Sequence, residues 1–176
     1  MKVPYTNFKT RQGDTDEVGG CTFIGGTWKD VDTTEIFDNK KVVVFALPGA
    51  FTPTCHRNHL PGYLDNYDAL KSKGVDEIIC FSTNDIFVNS AWIKSLGAAE
   101  KVIMLSDSKA EFSKALGTDY SDPFGTSIKT QRFSMYLVDS VIRELFIEQE
   151  SGQALLSGAL NTVSYTHLTL PTKRIV

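Results

Sequence analysis

The chain has 176 residues, enough for one domain with a substantial core. It is 41% hydrophobic and 22% charged, the composition of a folded globular protein, which argues against disorder. The formal net charge is -3, no basic run stands out, and no apolar stretch approaches the ~18 residues of a membrane span, so neither nucleic acid nor a membrane is an expected partner.

The elements are predicted in chain order as follows. The N-terminus, MKVPYTNFKTRQGD, has no apolar segment after its lysine, so no secretory signal is expected. Residues 3–9 read as a strand. Residues 21–24 and 27–31 read as a β-hairpin across Gly25-Gly26, an N-terminal extension to the main fold. Thr33 or Thr34 is placed to cap a short helix containing Ile36 and Phe37. Residues 41–47 form a continuous apolar run, the pattern of a strand buried on both faces. Residues 55–73 carry Leu60, Tyr63, Leu64, Tyr67 and Leu70 at helical spacing, and Gly74 stops that helix. A strand at 78–82 follows. Asn84 and Asp85 then cap a helix through Trp92 and Leu96. Next come a strand at 102–105, a helix at 110–116 ended by Gly117, and a loop at 123–131. Strands at 133–138 and 141–147 pair around Asp139-Ser140. Alternating strands and helices predict an α/β fold with a parallel or mixed central sheet flanked by helices.

The tail is set apart. LLSGALN begins a helix, with Ser157 as its candidate cap, but VSYTHLTLPTKRIV, residues 163–176, has neither a helical face nor turn logic. One back-translation of VSYTHLTLPT, GTC TCT TAT ACA CAT CTG ACG CTG CCG ACG, resembles an adaptor that a transposase joins to DNA before sequencing. Residues 163–176 are therefore expected to be a non-native tail on a domain spanning 1–162.

The chemistry is expected in VVVFALPGAFTPTCHRNHLPGY. A strand ends, Pro48-Gly49 breaks it, and a helix starts at or near Cys55. Unpaired N–H groups and the positive end of the helix dipole there favour a thiolate, the nucleophilic form. The carboxyl end of a strand is also where open α/β sheets place their sites. Thr52 offers a hydroxyl able to donate to the sulfur and accept from a substrate. Pro48 lacks an N–H and shields one side of the sulfur. His59, four residues on, shares the helical face and offers a polar group or base. No second Cys/His pair completes a metal site. Cys21, Cys55 and Cys80 form no CxxC, which favours a reducing, cytoplasmic compartment.

PGAFTPTC contains Pro48, Thr52 and Cys55 in the PxxxTxxC spacing and so resembles the peroxiredoxins. With HLPGY after it, the string resembles their type-II, or "five", subfamily, including the peroxiredoxin domain of glutaredoxin fusions. Further blocks similar to that subfamily are WKDV from Trp28, KGVDEIICFSTND with FVNSAW, LSDSKAEFSKALG and QRFSMYLVDSVI. The resemblance implies a thioredoxin-like fold and an antioxidant peroxidase that reduces hydrogen peroxide and organic hydroperoxides. Cys55 would be the peroxidatic cysteine, cycling through a sulfenic acid. Thr52, Pro48 and a distant arginine, here Arg132, would share the catalytic site, with Gly49 and His59 on the substrate. No metal or organic cofactor is implied. A homodimer is.

The comparable C-terminal stretch, GQALLSGALN, has no cysteine, with Leu156 about where a resolving cysteine would fall. Cys80, inside an apolar strand, is the remaining candidate resolver. The expected reductant is therefore an outside thiol: glutathione with glutaredoxin ahead of thioredoxin. Two other classes compete. A Cys-His hydrolase would need an orienting partner and an oxyanion hole, and a thioredoxin-fold binding or chaperone module would need no reactive sulfur.

Overall fold

The computed structural model describes residues 1–12, 16–17, 23–24, 27–123 and 127–166. In chain order the elements are β1 (Asn7–Gln12), β2 (Asp16–Glu17), β3 (Phe23–Ile24), β4 (Thr27–Asp32), α1 (Thr33–Phe37) and β5 (Lys41–Ala46). A π-helical turn (Cys55–His59) leads into α2 (Leu60–Asp65) and α3 (Tyr67–Ser72), followed by β6 (Glu77–Ser82), α4 (Ile86–Ser95) and β7 (Ile103–Ser106). Then come α5 (Glu111–Leu116), β8 (Asp119–Ser121), β9 (Ile128–Thr130), β10 (Phe133–Val138), β11 (Val141–Ile147) and α6 (Ala159–Tyr165). No described helix is long and apolar enough to cross a membrane.

A seven-stranded sheet in the order β11-β10-β5-β6-β7-β1-β4 forms the centre. β5, β6 and β7 run parallel and the outer strands antiparallel, so the mixed sheet of the α/β expectation is present. Period-two alternation divides its side chains between two cores. Val43, Phe45, Ile78 and Cys80 face one core, closed by Leu60, Tyr63 and Leu70 of α2 and α3, Trp92 of α4 and Ala159 of α6. Val42, Val44, Ala46, Ile79 and Phe81 face the other, closed by Ile36 and Phe37 of α1 and Phe112 of α5. The helices cover both faces, which is why β5 and β6 read as unbroken apolar runs.

The N-terminal extension differs from its prediction. β4 pairs with β1, and the described part of the predicted partner strand, Phe23–Ile24 of β3, pairs with β2. Phe8 and Val31 sit opposite each other in the β1–β4 register and are both buried. That long-range apolar pair outweighs the local turn preference of a Gly-Gly step. Gly25, Gly26 and Cys21 lie outside the described residues.

Four smaller expectations shift for local reasons. Asp32, not Thr33 or Thr34, caps α1 by accepting from Glu35 N–H at 2.9 Å. The predicted helix over 55–73 breaks at Asn66, whose φ of −102° and ψ of 12° are not helical and whose side-chain amide donates to Gly62 C=O at 2.9 Å. The expected loop at 123–131 contains β9, a strand too short to show a period. Gly158 occupies the cap position of α6, while the Ser157 hydroxyl donates to Glu148 Oε1 at 2.9 Å. α6 itself continues across the boundary drawn at residue 163 as far as Tyr165. The 133–147 pair forms as predicted, and its Asp139-Ser140 turn has φ of 50° and 59°, the left-handed pair that a two-residue hairpin requires.

Candidate active site

The site grows out of the carboxyl end of β5. Beyond Ala46, Leu47 extends the strand by donating to Phe81 C=O at 3.2 Å, and Pro48 and Gly49 follow, both buried. Phe51 is held at φ 62°, a left-handed conformation that a non-glycine residue adopts only when its surroundings impose it. Two bonds impose it here. Ala50 N–H donates to Asn84 Oδ1 at 2.8 Å, and the Thr52 hydroxyl donates to Gly49 C=O at 2.7 Å. The Thr52 proton is therefore committed to Gly49 and not to the Cys55 sulfur as expected, which leaves the oxygen lone pairs as acceptors.

Helical backbone begins at Pro53, whose missing N–H costs nothing in a first turn. His56 N–H bonds Thr52 C=O at 2.9 Å, which places Cys55 in that first turn. Leu60 N–H then reaches back five residues to Cys55 C=O, the π-type bond that single-turn insertions at functional sites use.

Arg132 arrives from the far side of the sequence. β10 pairs antiparallel with β5 in the register Phe133↔Ala46, so residue 132 lies beside the end of β5. The guanidinium is buried and spans three partners. Nη2 donates to Cys55 Sγ at 3.2 Å, and Nη1 lies 3.1 Å from His59 Nδ1. Nε and Nη2 both donate to Ser151 C=O, at 3.2 and 2.9 Å. Arginine has only donors, so His59 Nδ1 is an acceptor and its Nε2–H donates to Ser157 C=O at 3.1 Å.

His59 is thus neutral and has both ring nitrogens in use. Its pKa is lowered to about 3, chiefly by burial and then by the Arg132 charge. The Cys55 and His59 side chains meet through Arg132, so the Cys-His pair of a hydrolase is not present. Tyr63 donates to the same Ser157 carbonyl at 2.7 Å and stacks on Phe45 with ring centroids 3.9 Å apart. Glu148 Oε1 accepts from Ser157 N–H at 2.7 Å.

The chain was compared with known proteins. Residues 16–162 match the redoxin family. A peroxiredoxin of Synechocystis is 43% identical over 153 residues, covering 86% of this chain and 78% of the relative. The chain is a peroxiredoxin. It is also 40% identical to the hybrid peroxiredoxin hyPrx5 of Haemophilus influenzae over 84% of this chain; that alignment spans only 56% of the hybrid's length. Reduced Prx3 of Vibrio vulnificus in complex with hydrogen peroxide is a close structural neighbour, with a TM-score of 0.82, 34% identity, and coverage of 94% and 96% of the two chains. The thioredoxin-like fold and the class of activity, a thiol-dependent peroxidase, follow from this membership.

Within this peroxiredoxin, Cys80 lies in the apolar core that also holds Cys55. It is fully buried on β6, and its thiol pKa is pushed well up, by burial first and by charge on Cys55 second. His56, next to Cys55, does not project freely into solvent. It is half-buried, accepts from the Trp92 indole N–H at 3.1 Å and lies along the Phe51 ring. Trp92 is therefore both core and tether.

Sequence reasoning missed Asn84 as a loop support, the Glu148–Ser157 bond, and the carbonyls of Ser151 and Ser157. A backbone carbonyl carries no residue signature. Asn84 was legible only as a helix cap, a role that Asp85 fills by accepting from Phe87 and Val88 N–H at 2.8 and 3.0 Å.

The buried neutral imidazole of the peroxiredoxin sets a pH dependence. His59 protonates near 6.5 when unfolded and near 3 when folded, so the unfolded chain binds the extra proton between those values. Stability therefore falls as pH drops through 6.5 toward 3, by up to about 1.4 kcal/mol per pH unit from this group. Urea unfolding between pH 7 and 4 should show that slope, and His59→Gln should flatten it. Equal slopes in the two chains would contradict the assignment.

Proposed function

We propose that Cys55 is the peroxidatic cysteine and that Arg132, Thr52, Pro48 and Gly49 form its catalytic surroundings. The observation that carries this reading is the Arg132 Nη2 donation to Cys55 Sγ at 3.2 Å inside a buried site. The thiolate attacks the nearer peroxide oxygen, an S–O bond forms, and the O–O bond breaks. Sulfur is oxidised to a sulfenic acid, and the leaving oxygen departs as water or an alcohol after taking up a proton. Charge moves from sulfur to the leaving oxygen, so fixed donors along that line lower the barrier. Arg132 supplies such donors and is itself held by Ser151 C=O. The Gly49 N–H supplies another, the Thr52 oxygen accepts from the peroxide OH, and buried Pro48 keeps water off the sulfur. His59 is read here as a positioning residue for Arg132, because both its nitrogens are already engaged.

The sulfenic acid is reset by an outside thiol. That thiol forms a mixed disulfide with Cys55 and releases water, and a second thiol then frees Cys55. Glutathione with glutaredoxin is favoured over thioredoxin, because Cys80 is buried and a poor thiolate. An NADPH-coupled assay with each reductant system tests the choice, and Cys80→Ser should keep its turnover with glutathione. A variant that still consumes one equivalent of peroxide but cannot be reset would make Cys80 the resolver.

A homodimer in a reducing, cytoplasmic setting completes the reading. Phe51 and Phe87 are 53% and 51% exposed and offer apolar area for a second copy to cover. A sedimenting mass of one chain would exclude the dimer, and localisation of the tagged chain to another compartment would exclude the cytoplasm. The domain is read as 1–162 and residues 163–176 as appended sequence; source DNA reads that continue past this point with the same codons into genuine coding sequence would refute that.

A further inference from the structure

The β8–β9 hairpin brings a second cation to the loop that carries Gly49. A Cβ built on Gly49 would stand 3.3 Å from Thr52 Cγ2, 3.6 Å from Asn84 Oδ1 and 3.6 Å from Lys129 Nζ. The Lys129 ammonium therefore lies over a backbone position that has no side chain, next to Thr52. Its side chain is 22% exposed, and its acidic neighbour, Asp122 Oδ2, is 3.7 Å away, beyond hydrogen-bond reach. Tyr120 is the cross-strand partner of Lys129 and so shares its face of the hairpin. The Tyr120 phenol feels the charges of Cys55 and Arg132, after the larger effects of burial and Asp122. This face of the hairpin thus adjoins the Gly49–Thr52 loop that leads into Cys55. Arg132 is held by Cys55, His59 and Ser151, whereas among the described residues the Lys129 ammonium is held by the longer ion pair with Asp122 at 3.7 Å.

We propose that Lys129 is an anion subsite that docks a carboxylate on the molecule approaching Cys55. The carboxylate belongs either to an acid-bearing organic hydroperoxide or to a carboxylate-bearing thiol reductant. The proposal rests on Cys55 being the reacting sulfur. A half-buried ammonium on a strand is a fixed point charge, and it would favour acids over otherwise identical neutral molecules in a salt-dependent way.

The test uses matched pairs on the whole chain. In one arm, stopped-flow rates of Cys55 oxidation are measured with a fatty-acid hydroperoxide and with its methyl ester. In the other, rates of sulfenic acid reduction are measured with glutathione and with its diethyl ester. The readout is the acid-to-ester ratio. Lys129→Gln should lower that ratio roughly three- to tenfold in at least one arm, and the arm that responds identifies the source of the carboxylate. Asp122→Asn, which removes the competing acid but keeps the lysine, should raise the ratio in that arm. Ratios unmoved by Lys129→Gln in both arms, or lowered by both variants, would overturn the proposal. The underlying reading fails separately: it falls if peroxide oxidises Cys55→Ser as it does the parent chain, whatever the ratios.

Discussion

Cys55→Ser should abolish peroxide turnover, the largest single effect expected for any substitution in this chain. A serine hydroxyl is not ionised near neutral pH, and its oxygen cannot be oxidised as sulfur can, so both half-reactions are lost together. The site around it should persist, because the new hydroxyl still faces Arg132 Nη2, which donates to Sγ in the parent chain. Two measurements separate loss of chemistry from loss of fold. NADPH-coupled turnover should fall to the uncatalysed rate while the thermal transition remains cooperative. Mass spectrometry after one equivalent of peroxide should add roughly 16 Da, one oxygen, to the parent chain and nothing to the variant. Unchanged turnover in the variant would remove Cys55 from the mechanism altogether.

Arg132→Lys should cost about 10²- to 10³-fold in the rate of Cys55 oxidation, the range seen when one preorganised donor is removed from a buried site. The substitution keeps the charge, so a small effect would be expected if charge alone mattered. The geometry argues otherwise. One planar guanidinium donates to Cys55 Sγ and twice to Ser151 C=O, and it lies 3.1 Å from His59 Nδ1. A lysine ammonium on a flexible stem cannot hold all of these in one plane. It would also strand a buried acceptor, at a cost of about 1–3 kcal/mol. Stopped-flow oxidation and urea unfolding on the same protein should show both losses. An oxidation rate within about threefold of the parent would mean that position, not fork geometry, is all that Arg132 contributes.

Much of this site was legible because its parts are local. Pro48, Thr52 and Cys55 fall within eight consecutive residues, PGAFTPTC, so spacing alone ties them to one strand end and one helix start. The strands at 41–46 and 77–82 were legible because both their faces are buried, which leaves an apolar run no surface strand would carry. Arg132 was legible only through resemblance, since nothing in QRFSM says which arginine will cross the sheet. For His59, helical spacing gives the face the side chain is on and not the partner it finds there, which is Arg132 Nη1 at 3.1 Å.

By itself, then, the sequence determined the alternating α/β layout and the helix start that carries the proposed nucleophile, because periodicity and turn chemistry are short-range. Tertiary structure decided the partners. Antiparallel pairing of β10 with β5 carries Arg132 to the end of β5, and the segment after β11 brings the Ser151 and Ser157 carbonyls onto Arg132, His59 and Tyr63. The Thr52 proton goes to Gly49 because the loop closes on itself. β4 pairs with β1 because Phe8 and Val31 bury each other across the sheet. In each case the deciding energy is a buried hydrogen bond or apolar contact between residues far apart in the chain or brought together by loop closure, and no short window of sequence encodes which of those contacts will form.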